Sequence, residues 1–101
     1  MKVTRKNNKS GTVLSVEGDL TIYTVAQAKQ TLLEDHEIFS TPVALDLHNV
    51  SEIDTAGLQL LLFMHKLLKG LNKNLHVTKS NEHVDSILNN MDVATYFTLE
   101  N

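Results

Sequence analysis

The chain has 101 residues, a formal net charge of −3 at pH 7, 42% hydrophobic and 21% charged residues, and no cysteine. That size and balance suit one globular domain, residues 1–101, with a single core and no room for a second. Without cysteine, disulfide scaffolds, thiolate catalysis and cysteine-based zinc sites are excluded.

The net negative charge gives no global attraction to nucleic acid, which usually shows as a basic patch or stripe. The cluster Lys2, Arg5, Lys6 and Lys9 reads instead as a solvated edge strand, where lysines discourage pairing with another sheet. Met1-Lys2-Val3 runs into a polar alternating pattern, and the longest apolar run, Leu60 to Met64, falls far short of the ~20 residues that span a bilayer. No direct membrane insertion and a cytoplasmic location are expected.

In chain order, residues 2–6 and 12–17 flank the turn formers Asn7-Asn8-Lys9-Ser10-Gly11 and predict a hairpin, with Gly11 or Asn8 supplying a positive φ. Gly18-Asp19 breaks the second strand, and Thr21 or Thr24 caps a helix. Its apolar positions Val25, Ala28, Leu32 and Leu33 predict a helix from Val25 to about Phe39, loosened at Asp35-His36-Glu37 and stopped at Ser40-Thr41-Pro42. Val43-Ala44-Leu45-Asp46-Leu47 is short, apolar and bounded, as a central strand covered on both faces would be. Asp46 must then lie at its exposed C-terminal end or be paired, because burying it alone is costly. Asp46 and Asp54 bracket the loop His48 to Ile53, near one end of the sheet.

Thr55 to about Gly70 is the clearest helix. At 100° per residue, Gly57, Leu60, Leu61, Met64, Leu67, Leu68 and Leu71 share a core face, while Gln59, Lys66, Lys69 and Lys73 define the wet one. Leu58 and Leu62 fall inside that wet arc and Thr55 on the same side, so two leucines and a hydroxyl are expected to point away from the core. Gly70 and Asn72 end the helix. Leu75-His76-Val77-Thr78 is a further strand, and Ser80 or Asn81 caps a last helix with Val84, Ile87, Leu88 and Met91 on its apolar face. Val93 to Phe97 is expected to dock as a tail, with Leu99-Glu100-Asn101 free to fray. Strands separated by helices require crossovers, so the class is α/β: a single domain with a mixed β-sheet and helices packed against it.

Little in the chain suggests chemistry. The histidines His36, His48, His65, His76 and His83 are scattered one per element without the close spacing of a metal motif. There is no Gly-x-Ser-x-Gly, and Gly11, Gly18, Gly57 and Gly70 form no phosphate loop. Asp46 and Asp54 would make a catalytic pair only in a substrate cleft, which so small a domain gives no sign of. No metal, no cofactor and no enzymatic activity are expected. What remains is the junction at Asp54 and Thr55. Either residue can cap the helix, and a helix N-terminus welcomes phosphate, which makes a hydroxyl there a candidate phosphoacceptor.

Leu45-Asp46-Leu47, Val50 and Ile53-Asp54-Thr55-Ala56-Gly57-Leu58, followed by Leu60-Leu61-Leu62, resemble the signature of STAS domains, the family of bacterial anti-sigma-factor antagonists and sulfate-transporter tails. Glu17-Gly18-Asp19-Leu20 resembles its second, weaker motif, and the match in element order covers essentially the whole chain. The resemblance implies a non-enzymatic regulatory protein that docks on a protein partner through Asp19, Asp54, Thr55, Ala56, Gly57, Leu58 and Leu62. In the antagonists the motif is Asp-Ser-Ser-Gly, and a kinase-type anti-sigma factor phosphorylates the second serine to abolish binding. Ala56 stands at that place and cannot accept phosphate, so the resemblance does not carry over the usual switching cycle; Thr55 keeps a hydroxyl one place earlier, either as a phosphoacceptor or as a partner contact alone. The Asp-Thr-Ala-Gly variant is more similar to two other branches. One comprises stand-alone proteins of chemotaxis-type signalling with histidine-kinase-like partners, whose first-helix entry Leu20 to Val25 resembles. The other is the small STAS subunit that binds the ATPase of a phospholipid-transporting ABC complex.

Overall fold

The computed structural model describes residues 1–90 and 98–99. In chain order the elements are β1 (Lys2–Asn8), β2 (Gly11–Leu20), α1 (Val25–Leu33), a 3₁₀ turn (His36–Ile38), β3 (Val43–Asp46), β4 (Val50–Ile53), α2 (Thr55–Gly70), β5 (Leu75–Lys79), α3 (Glu82–Asn90) and β6 (Thr98–Leu99). The α/β class and the mixed sheet are as expected. The strand order is β1-β2-β3-β5-β6, with β4 joined to β2 off that path. β1 is antiparallel to β2, and the other pairings are parallel.

The hairpin closes at Asn8 opposite Gly11, and Gly11 supplies the positive φ of 147°. Along β2 burial alternates at Thr12, Leu14 and Val16, while Val13 and Glu17 are exposed, the period-two pattern of a strand with one face on the core. Gly18 and Asp19 do not break β2. With φ of 97°, Gly18 makes a bulge at which the register shifts. The first half of β2 pairs with β3, Thr12 opposite Val43 through Ser15 opposite Asp46. The second half pairs with β4, Gly18 opposite Val50 and Leu20 opposite Ile53. The stretch expected as a loop therefore contains a strand.

Three further expectations are corrected. α1 ends at Leu33 rather than near Phe39, because Asp35 turns into the left-handed region (φ 54°) and the chain re-forms as the 3₁₀ turn; Phe39 is buried just beyond it. β3 is not covered equally on both faces, since Val43 and Leu45 are buried but Ala44 and Asp46 only half-buried. Leu71 leaves the core face: α2 stops at Gly70, Asn72 takes a φ of 60°, and the turn exposes Leu71.

The core joins Leu14, Val16 and Leu20 of β2 with Leu32 of α1, Leu45 of β3, Leu61, Met64 and Leu68 of α2, Val77 of β5, and Val84 and Leu88 of α3. Burying each such side chain stabilises the fold by about 1.5–3 kcal/mol relative to exposure. Leu99 is paired in β6 opposite Val77 rather than free. The expected docking of Val93 to Phe97, and Met91 on the α3 face, lie outside the described residues. No helix among the described residues is long and apolar enough to cross a membrane.

Candidate functional site

Asp54 caps α2 and does more than cap it. In extended backbone, its Oδ1 accepts the Gly57 amide at 3.0 Å and its Oδ2 the Ile22 amide at 2.9 Å. The first bond satisfies an orphan donor of the helix. The second ties the loop between β2 and α1 to the α2 N-terminus across 32 residues of sequence. Thr55 follows as the first helical residue and is exposed, while Ala56 is half-buried. Gly57 is buried against β2, where a Cβ would lie 2.2 Å from the Leu20 carbonyl oxygen.

Leu58 does not point away from the core. It is 3% exposed and belongs to the buried cluster. Its burial has a tertiary cause, because α2 is contacted by α1, α3, β4 and β5, more neighbours than a single wet arc on a helical wheel allows. Leu62 is half-buried and packs against the core. Phe63 is 43% exposed instead, with the Lys29 ammonium 4.4 Å from its ring centroid.

Beside Asp54 opens a depression of about 690 Å³ that includes Asp19, Tyr23, Glu52, Asp54, His83 and Ile87 in its lining. Asp19 lies opposite Glu52 in the β2–β4 register, and its carbonyl accepts the Thr24 hydroxyl at 2.9 Å. Thr24 occupies the N-cap position of α1 without a side-chain capping bond; its hydroxyl instead accepts the Thr21 amide at 3.0 Å, so the loop is braced internally. Ile22 and Tyr23 project from this loop, 62% and 94% exposed. Thr55, Leu58 and Leu62 do not line the depression, so the expected residues divide between it and the α2 surface. Asp46 stands apart, its Oδ1 accepting the His48 amide at 3.1 Å within the turn after β3. Asp46 and Asp54 are therefore not gathered into one pocket.

Sequence reasoning missed Ile22, Tyr23, Glu52, His83 and Ile87. The pair Ile22-Tyr23 between two threonines was a readable signal for an exposed apolar tip. The α3 contribution had none, since it comes from a helix some thirty residues downstream.

The Ile22 amide, and after it the Gly57 amide, hold the Asp54 carboxyl below its ordinary value of 3.8. A carboxyl lowered on folding stabilises above its unfolded pKa, and that contribution is lost as pH falls through the folded one. Asp54→Ala is accordingly expected to cost about 1 kcal/mol at neutral pH, with the difference from the parent shrinking in acid below the ordinary carboxylate range. Denaturant titrations at both pH values check this, and an undiminished difference in acid would rule out the ionised carboxylate as its source.

The family model described as "Mlab, STAS domain" matches residues 3–100. No curated protein matches the chain in sequence. Among solved structures, the anti-sigma factor antagonist SpoIIAA in its unphosphorylated form superposes with a TM-score of 0.79 at 13% identity, covering 99% of this chain and 89% of that one. An anti-sigma factor antagonist from Mycobacterium paratuberculosis gives 0.79 at 19% identity, covering 98% and 84%. A sulfate transporter family protein from Wolinella succinogenes gives 0.69 at 17% identity, covering 82% and 67%. At these identities the structural likenesses bear on the fold alone, and with the family match they lead to one conclusion: the chain belongs to the STAS domain family.

Proposed function

We propose that this protein is a non-enzymatic STAS regulatory module, similar to the anti-sigma factor antagonists, that docks on a signalling partner through the junction of β4 and α2. The partner is a histidine-kinase-like regulator of chemotaxis type or a kinase-type anti-sigma factor, and phosphorylation of Thr55 controls the contact. The observation that carries the reading is the exposure of Thr55 at the first turn of a helix whose frame Asp54 fixes. A phosphate there meets the positive end of the helix and adds ≈ −1.5 to −2 charge to any docked surface. Asp19, Asp54 and the exposed tip Ile22-Tyr23 complete the contact. Ala56, Gly57 and Leu58 serve it from beneath by shaping the first turn, and Leu62 supports the α2 surface.

A second reading, the small STAS subunit of a phospholipid-transporting ABC complex docking on its ATPase, rests on the Asp54-Thr55-Ala56-Gly57 variant of the motif. Thr55→Glu tests docking under both readings, because an acid in the first helical turn does not weaken the helix. The variant is expected to keep the parent's melting temperature while losing the partner that the parent co-purifies. A histidine-kinase-like partner supports signalling, and an ATPase with a permease supports transport. Retention of the partner by the variant would remove Thr55 from the docking face. Phosphate mapped by mass to Thr55 after incubation with the captured kinase supports the switch.

A further inference from the structure

The residue before α3 binds in two directions. Asn81 Oδ1 accepts the Val84 amide at 3.1 Å and the Asn81 carbonyl accepts the Asp85 amide at 2.9 Å, which starts the helix. Its Nδ2 group faces the other way and donates to the carbonyls of His48 and Val50 at 2.8 Å and of Leu47 at 3.4 Å. Capping alone needs an acceptor, which serine or aspartate supplies as well as asparagine. The NH₂ donors are what asparagine adds, and all of them are spent on the turn between β3 and β4.

That turn sets where β4 begins. β4 has four residues and β2 as its strand neighbour, and its far end passes into Asp54, whose amide reaches the Leu20 carbonyl at 3.4 Å. So short a strand is placed by its pairing with β2 and by what holds its two ends. At the entry these include Asn81 on the Val50 carbonyl, the Val50 amide on the Leu47 carbonyl at 3.1 Å, the Leu47 amide on the Lys79 carbonyl at 2.8 Å, and the Gly18 amide on the Asn49 carbonyl at 3.0 Å. At the exit they are the Asp54 bonds to Ile22 and Gly57.

We infer that Asn81 is a positioning residue for the junction: by holding the β3–β4 turn it fixes the start of β4, and through β4 the place where the Asp54 carboxylate meets the Ile22 and Gly57 amides. Its bearing on partner docking rests on the function proposed above, but the geometric claim does not, so the experiment reads Asp54 directly and needs no partner. Asn81→Ser keeps a capping hydroxyl and removes the donors to the turn. By nuclear magnetic resonance, the Asp54 carboxyl of this variant is expected to titrate at higher pH than in the parent. The Ile22 and Gly57 amides are expected to exchange about tenfold faster, the scale of one weakened hydrogen bond, with the interior amides of α2 unchanged. Ser80→Ala is the control: it removes the Ser80 hydroxyl's bond to Asp85 at the same helix end without touching the turn, and should move neither readout. An Asn81→Ser variant that loses stability yet keeps the Asp54 titration and both amides as in the parent would overturn the inference and reduce Asn81 to a cap. Should that variant not fold, native-state exchange of the parent decides. Opening of the Val50, Ile22 and Gly57 amides as one unit supports the inference, and Val50 opening independently of the other two overturns it.

Discussion

Gly57→Ala is expected to be among the most damaging single-methyl changes in this chain, although glycine inside a helix is ordinarily a weakness. On propensity alone the substitution should stabilise α2 by about 1 kcal/mol. The tertiary structure reverses the sign, because the new Cβ would lie 2.2 Å from the Leu20 carbonyl oxygen and 3.1 Å from Cγ1 of Ile53. A backbone carbonyl cannot swing aside as the end of a side chain can, so the first turn of α2 must lift off β2. Overpacking costs about 1–3 kcal/mol and occasionally more, and lifting the turn also pulls the Gly57 amide from Asp54. The net expectation is a loss at the upper end of that range, read as a lowered denaturation midpoint. Gly70→Ala is the matched control, since no atom of the described residues lies within 4 Å of its Cβ position; there propensity acts unopposed and stability should hold or rise. A Gly57→Ala variant as stable as the parent would mean that the close approach of α2 to Leu20 is not a feature of the protein in solution.

The same contact shows what could be read in advance and what could not. Local chemistry was legible wherever it acts within a few residues. Asp54 or Thr55 at the α2 N-terminus, Gly70 and Asn72 at its end, Gly11 or Asn8 in the hairpin and Ser80 or Asn81 before α3 follow from what each side chain can bond or which φ it tolerates, and the structure uses Asp54, Gly11 and Asn81. β4 was not legible, because Val50-Ser51-Glu52-Ile53 has no continuous apolar pattern. It is a strand because Gly18 bends β2 so that its second half can pair with it. The end of α1 was hidden for a related reason: the apolar residues Ile38 and Phe39 extend the pattern, and only the left-handed turn at Asp35 shows that they belong to another element. At the candidate site, Asp54 and Thr55 were visible as a cap and a hydroxyl beside it, and Asp19 only through the resemblance of Glu17-Gly18-Asp19-Leu20 to a family motif. The depression was not, since β2, β4 and α3 build it together. The donors of Asn81 to the β3–β4 turn likewise join segments more than thirty residues apart.

Leu58 carries the second large effect, and it separates the docking surface from what supports it. A helical wheel puts Leu58 with Leu62 and Thr55 on one exposed side, which would make Leu58→Asp a harmless change for the fold and a severe one for binding. With Leu58 3% exposed in the core, the expectation inverts. The aspartate carboxylate would be buried within that hydrophobic cluster of described residues, and an uncompensated buried charge costs about 3–5 kcal/mol. A domain of this size has roughly 5–15 kcal/mol in total, so the variant is expected to be largely unfolded or to melt far below the parent. Leu58→Ala isolates the apolar part at about 2–5 kcal/mol, a fall in melting temperature of roughly ten degrees or more. Phe63→Asp provides the contrast on the same helix: its ring is 43% exposed beside Lys29, so a charge there stays solvated and the fold should survive. Circular dichroism melts of the three variants decide the matter. If Leu58→Asp melts with the parent, the first turn of α2 is open to solvent and Leu58 returns to the docking face. If it collapses while Phe63→Asp does not, Leu58 belongs to the core, and its side chain serves the first turn of α2 from beneath rather than from the surface.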